Sequence, residues 1–232
     1  MNKDYYSLRS AEVNFSSYRP QKYFINFLKK INKDSRILDF GCGYGRDIKF
    51  LISLGFKNVF GLEIDDKARN ESSKLTKIFT HLDLNELDEG FDLVIMSHVL
   101  EHIPKDEIIE TLIQIRNAIK EDGSLILMVP NAQSNTGAYW AYEDFTHNTL
   151  FTSGSLKYVL LAAGFRNIEF IDPKCLDSLP IYKKILRGLF LSLYEFKLNF
   201  WNAITSSNFH KGSPRIFSYE IKAVAKKSES LS

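Results

Sequence analysis

Residues 37–48 read ILDFGCGYGRDI, and this stretch decides the fold. Ile37-Leu38-Asp39-Phe40 reads as a buried strand that runs straight into glycines at alternate positions, Gly41, Gly43 and Gly45. Such glycines let the backbone turn sharply and approach a ligand with no Cβ in the way. Asp47 to Leu54 then shows helical spacing and stops at Gly55. The glycines lack the GxGxxG spacing that seats a pyrophosphate on a helix N-terminus, which speaks against a nicotinamide-dependent dehydrogenase.

Outward from this unit the chain repeats the same alternation. Val59 to Ile64 reads as a second strand, Lys77 to Leu84 as a third, and Phe91 to Met96 (FDLVIM) as a fourth. The last is too short and too apolar for a surface helix. Lys105 to Lys120 places Ile108, Ile109, Leu112, Ile115 and Ile119 on one helical face, with Gly123 as a stop. Leu125 to Val129 is a fifth strand, Ser155 to Ala163 a helix closed by Gly164, and Ile168 to Ile171 a sixth strand. Alternating strands and helices imply a mostly parallel sheet covered on both faces, with ligands beyond the carboxyl ends of the strands.

Acids stand at those ends. The second strand closes in Gly61-Leu62-Glu63-Ile64-Asp65, an acid about 20 residues past the glycines, where a ribose diol is gripped. The third closes in Asp83-Leu84-Asn85, whose carboxylate can accept from an adenine amino group.

ILDFGCGYGRDI, GLEID, the acid of HLDLN, FDLVIMSHVLEHIP and GSLILMVPN together resemble the ordered motifs of class I S-adenosylmethionine-dependent methyltransferases, nearest to a small-molecule group of that family. The resemblance covers roughly residues 35–172. It implies an α/β, Rossmann-like sheet of seven mostly parallel strands whose last strand is antiparallel, here Arg215 to Lys226. It further implies S-adenosylmethionine as cofactor, with Asp39, Gly41 and Gly43 along its methionine part, Glu63 on the ribose and Asp83 on the adenine. Leu84 and Ser97 complete that set.

The sulfonium of this cofactor is an activated methyl donor, so the protein must align an acceptor and take its proton. Candidates follow the fourth and fifth strands. In Ser97-His98-Val99-Leu100-Glu101-His102, His98, Glu101 and His102 stand at i, i+3 and i+4. After Pro130-Asn131 comes a polar, aromatic loop holding Tyr139, Trp140, Tyr142, Asp144, Phe145, Thr146 and His147. His147, then His98, is the candidate general base, since neutral imidazole suits proton removal near pH 7. No metal is assigned. Relatives with Glu-x-x-Glu-His at this place bind a divalent ion, and the alternative ligand set here is His98, Glu101, His102 and His147, which suits zinc better than magnesium.

Composition bounds the rest. The chain has 232 residues, a formal net charge of +2 and two cysteines, Cys42 and Cys175. It is long enough for one domain, too balanced for a nucleic-acid partner and too poor in cysteine for a disulfide framework. Strand four leads to SHVLEH and not to the Asn/Asp-Pro-Pro-aromatic motif of nucleic-acid amino methyltransferases. No secretory h-region and no membrane-spanning apolar run is visible, so the expectation is a cytoplasmic protein. Residues 179–205 are aromatic and apolar, with Lys183, Lys184, Arg187 and Lys197 against Glu195. They read as a helical insertion that packs on the sheet edge or forms a homodimer; a cap over the acceptor or an interfacial helix in peripheral membrane contact are the other readings. This segment and Asp144-Phe145-Thr146-His147 resemble methyltransferases of bacterial surface-polysaccharide clusters. The resemblance implies O-methylation of a sugar or a sugar-linked, phosphorylated capsule precursor as small-molecule acceptor. Other small acceptors (phenol, quinone precursor, carboxylate) and a non-catalytic cofactor-binding protein are the alternatives.

Overall fold

The computed structural model describes residues 25–81, 90–177, 179–210 and 212–228. A short helix α1 (Ile25–Leu28) precedes β1 (Arg36–Phe40), α2 (Arg46–Ser53), β2 (Asn58–Leu62), α3 (Asp66–Ser72) and β3 (Ile78–Phe79). Then come β4 (Phe91–Ser97), a 3-10 turn (Leu100–His102), α4 (Ile108–Ala118), β5 (Ile119–Pro130), α5 (Gly137–Glu143) and α6 (Ser153–Ala162). The chain finishes with β6 (Arg166–Phe170), α7 (Ile181–Ile204) and β7 (Glu220–Lys226).

The seven strands form one sheet in the order β3-β2-β1-β4-β5-β7-β6. β2 and β4 both pair parallel to β1, so the strand order reverses beside β1 and opens a crevice there. β7 runs antiparallel to both β5 and β6, as the motifs imply.

Alternation along the central strands fills two cores. Val94, Met96, Leu125, Leu127 and Val129 face α4 and α6 through Leu112, Ile115, Leu156 and Leu160. Leu93, Ile95, Ile126 and Met128 face the opposite layer, which holds Leu28, Ile48 and Leu51. A strand buried on both faces has no polar alternation, which explains the continuous apolar runs FDLVIM and LILMV. The sheet is thereby rigid where its carboxyl edge must hold a site.

Several boundaries differ from the sequence reading: the last strand, expected from Arg215, begins at Glu220, and the fifth, expected from Leu125, begins at Ile119. The helix expected to reach Lys120 ends at Ala118, because Ile119 pairs with Phe91 in the sheet. Gly123 therefore lies inside β5, at the register shift, where a Cβ would come within 2.5 Å of Ile119 Cγ2. The stretch read as a loop from Tyr139 is helical up to Glu143. The third strand is only Ile78–Phe79 among the described residues, and Asp83 and Leu84 lie outside them.

Candidate active site

The candidate cofactor side is built by the turn after β1. The N–H groups of Gly41 and Cys42 both donate to Leu62 O, at 2.8 and 3.0 Å, which bends the chain out of the strand. Gly41 has φ +74°, and a Cβ there would stand 2.4 Å from Val99 Cγ2. Only glycine meets both demands, the left-handed backbone and the close approach. Burial pushes the Cys42 thiol up, so Cys42 contributes packing and no thiolate chemistry.

Glu63 lies just past β2 and is 2% exposed. Its Oε2 accepts from the Gly43 N–H and its Oε1 from the Asp65 N–H, both at 2.8 Å. Burial pushes this carboxyl up, while the backbone N–H groups of Asp65 and Gly43 pull it down. Each oxygen keeps a lone pair for a diol hydroxyl. Asp65, the other acid of that motif, caps α3 by accepting from Ala68 N–H at 2.8 Å.

Asp39, at 2% exposure, has one oxygen, Oδ2, buried without a hydrogen-bond partner. Burial, then the nearby charge of Asp47, pushes its carboxyl well above the usual range. An orphaned acid oxygen beside the glycine turn fits the ammonium end of an amino-acid ligand, which would supply the missing donor. Ser97 closes β4 half-buried, opposite Met128.

The candidate reacting side begins at His98, the residue after β4, which adopts φ +54°. A bulky residue in this region is a local strain of about 1–3 kcal/mol that the surroundings must hold. They hold it by charge. Nδ1 meets Glu101 Oε1 and Nε2 meets Glu220 Oε1, each at 3.1 Å. Burial disfavours the imidazolium, but the hydrogen bonds and charges of Glu101 and Glu220 outweigh it and push His98 up to about 9. His98 is thus a cation donating from both nitrogens at neutral pH.

His102 behaves oppositely. Its Nδ1 lies 2.9 Å from Thr146 Oγ1, and burial pushes its pKa down to about 4 against the pull of Glu101. The imidazole is therefore neutral near pH 7.

His147 reaches this cluster because its loop is stitched to the 3-10 turn. Asn148 and Thr149 N–H donate to Glu101 O at 2.8 and 3.2 Å, and Asn148 Nδ2 donates to His102 O at 2.7 Å. His147 Nδ1–H donates to Trp140 O at 2.7 Å, which leaves Nε2 as the acceptor nitrogen, 3.9 Å from Asp144 Oδ2. The His102 and His147 rings lie 4.7 Å apart. One ligand atom each from Glu101, His102 and His147 falls within 4.8 Å of the others, and Glu101 Oε2 is buried without a hydrogen-bond partner. These three residues could hold a metal ion. His98, fourth in the alternative ligand set, stands outside this group in its ion pairs with Glu101 and Glu220.

Glu220 is the residue that sequence reasoning missed. It begins β7, and the antiparallel register sets it opposite Pro130, at the carboxyl edge of the parallel strands. Its place in RIFSYEIKAVAK gives no local sign of this role.

A family model described as a methyltransferase domain matches residues 14–169. The uncharacterized protein YmfD of Escherichia coli K12 is 25% identical over 141 residues, which cover 53% of this chain and 62% of YmfD. The chain thus spans less than two thirds of that curated relative. A SAM-dependent methyltransferase from Archaeoglobus fulgidus superposes with a TM-score of 0.66 at 22% identity, over 96% of this chain and all (100%) of that one. A SAM-dependent methyltransferase from Thermotoga maritima superposes with a TM-score of 0.57 at 17% identity, over 89% and 88%. The chain belongs to the methyltransferase domain family.

Proposed function

We propose that this methyltransferase O-methylates a sugar, or a sugar-linked or phosphorylated precursor of a surface polysaccharide, with His147 as general base. The observation that carries the reading is the company of His147. Its Nδ1–H is held by the Trp140 carbonyl, and beside it stand Phe145, wholly exposed (100%), and Tyr142 near the end of α5, 84% exposed. Exposed aromatic faces next to a base suit an acceptor with apolar C–H faces and hydroxyl edges, which is the surface of a sugar ring.

When bound, S-adenosylmethionine supplies a methyl group already activated on a sulfonium. Asp39, Gly41, Gly43 and Glu63 would hold its amino-acid and ribose parts, with Ser97 beside them, and Asp83 and Leu84 complete the set proposed from sequence. Nε2 of His147 would take the acceptor's hydroxyl proton as that oxygen gains the methyl group, the S–CH3 bond breaking to leave a neutral thioether. Asp144 Oδ2, 3.9 Å from that nitrogen, stabilises the imidazolium that results. His98 has no lone pair to offer near neutral pH, so its part is to hold Glu101 and Glu220 in place and not to accept the proton.

A second reading is favoured by the cluster of Glu101, His102 and His147, two imidazoles and one carboxylate that suit a borderline ion such as zinc. In that reading Glu101, His102 and His147 would hold the ion, the ion would supply Lewis acidity toward the acceptor hydroxyl, and chelator would abolish turnover. The test of the main reading is transfer of labelled methyl groups onto nucleotide sugars, glycan ends and phosphorylated sugar precursors, set against phenols and carboxylates. Labelling of the sugar hydroxyls, lost when Tyr142 and Phe145 are both changed to alanine, is the expected result. Transfer only to phenols or carboxylates overturns the sugar assignment, and no transfer to any class points to a binding protein without catalysis.

A further inference from the structure

α7 runs from Ile181 to Ile204, 24 residues, and none of them is buried. At 1.5 Å per residue it is about 36 Å long, an element that the local fold does not need in order to close its cores. Its half-buried side turns Leu191, Tyr194 and Leu198 toward the body, where they wall a cavity of about 170 Å³ with Asn135, Phe209 and Phe217. Tyr194 O–H donates to Asn135 Oδ1 at 2.7 Å and fixes the helix against the loop after β5. The orientation of the helix on the protein is therefore set.

What faces outward is apolar. Ile181, Ile185, Leu189, Leu193, Phe196 and Phe200 follow one another at three- and four-residue spacing, and each is more than half exposed. They form one continuous stripe along the helix. Phe190 and Trp201 widen it on one side. Contiguous exposed apolar surface of this extent marks an interaction site.

Charge decides what covers it. The helix carries Lys183, Lys184, Arg187 and Lys197 against the single acid Glu195. A second copy placed antiparallel across the stripe would set the three basic residues of one N-terminal half near Lys197 of the other, with only a half-buried Glu195 to answer them. An anionic lipid surface answers the exposed Lys183 and Lys197 that border the stripe and accepts the stripe between its headgroups, while Arg187 is held by the Cys175 carbonyl on the inner side. No helix among the described residues is long and apolar enough to cross a membrane, so α7 would lie in the plane of the surface.

We propose that α7 seats the protein on an anionic lipid surface through this stripe, with its inner side forming the wall of the adjacent cavity. The proposal stands apart from the choice of acceptor, and its test uses none. The whole protein is sedimented with vesicles of phosphatidylcholine alone and of phosphatidylcholine mixed with phosphatidylglycerol, at low and high salt. Binding to the anionic vesicles is expected to exceed binding to the neutral ones about tenfold, and to weaken with salt. Leu189→Glu with Leu193→Glu should lower the partition at least about tenfold. Lys183→Gln with Lys197→Gln should lower it several-fold on anionic vesicles only, and serves if the first pair fails to fold. Tyr158→Glu on α6, exposed elsewhere, should change nothing. Circular dichroism and cofactor affinity confirm that each variant is folded. Equal sedimentation of the wild type and both folded double variants overturns the proposal. So does a dimer in solution that Leu189→Glu with Leu193→Glu splits while vesicles bind neither form, which would give the stripe to a second copy.

Discussion

Nε2 of His98 lies 3.1 Å from Oε1 of Glu220, although 122 residues separate them. The contact closes a line of charge across the mouth of the sheet, because Nδ1 of the same ring meets the fully buried Glu101. One cation thus holds two carboxylates, one from the turn after β4 and one from the antiparallel strand β7. Glu101 in turn adjoins His102 and His147. The electrostatics of the reacting side therefore pass through His98 even though the ring offers no base.

Stability should carry the mark of that cation. The His98 pKa, up to about 9, lies above its ordinary 6.5. Its ion pairs therefore contribute stability that is fully present below about pH 6.5 and is lost as pH rises through about 9. Thermal melts from pH 6 to pH 10 should show His98→Gln destabilised at the acid end by roughly 2–6 °C and converging on the wild type at the alkaline end. A constant gap across the range would place the effect in packing.

Replacing His147 by alanine should lower kcat by about 10²–10⁴-fold while cofactor affinity stays the same. Steady-state turnover and calorimetry of the same variant separate the two quantities. Repeating the assay with chelator, and with Glu101→Ala and His102→Ala, divides base from metal. Loss of turnover with chelator, matched by equal losses in all three variants, assigns the reaction to the ion.

Glu63→Ala should weaken S-adenosylmethionine binding by about 1–3 kcal/mol, since the Gly43 and Asp65 amides and the ribose hydroxyls all lose their acceptor. Titration calorimetry reads it directly. Glu63→Gln keeps one carbonyl oxygen and should fall between the two; unchanged affinity in both variants would remove Glu63 from the cofactor site.

Gly41→Ala combines a positive φ with a Cβ 2.4 Å from Val99 Cγ2. It should cost about 1–3 kcal/mol of stability. Adding Val99→Ala relieves the clash but not the backbone, so the double variant should recover part of the loss. Full recovery in denaturant melts would show that the backbone conformation itself costs nothing.

Much of this molecule is written locally. The run ILDF, the alternating glycines and the apolar blocks FDLVIM and LILMV specify strands and a tight turn through backbone freedom and burial over a few residues, so the parallel sheet and the places of Asp39, Gly41, Gly43 and Glu63 follow from the sequence. The antiparallel β7 followed from the resemblance of the motifs. Tertiary structure alone decided the reacting side. His147 joins Glu101 and His102 because hydrogen bonds tie two turns more than forty residues apart, as the Asn148 to His102 contact, across 46 positions, illustrates. Glu220 reaches His98 because an antiparallel strand brings its first residue to the edge where its parallel neighbours end. The exposure of α7 is of the same kind: its composition announced an apolar helix, but which side stays uncovered depends on what Leu191, Tyr194 and Leu198 meet across the fold. Local patterns carry conformational preference, whereas pairing, protonation and exposure depend on which distant groups share a volume.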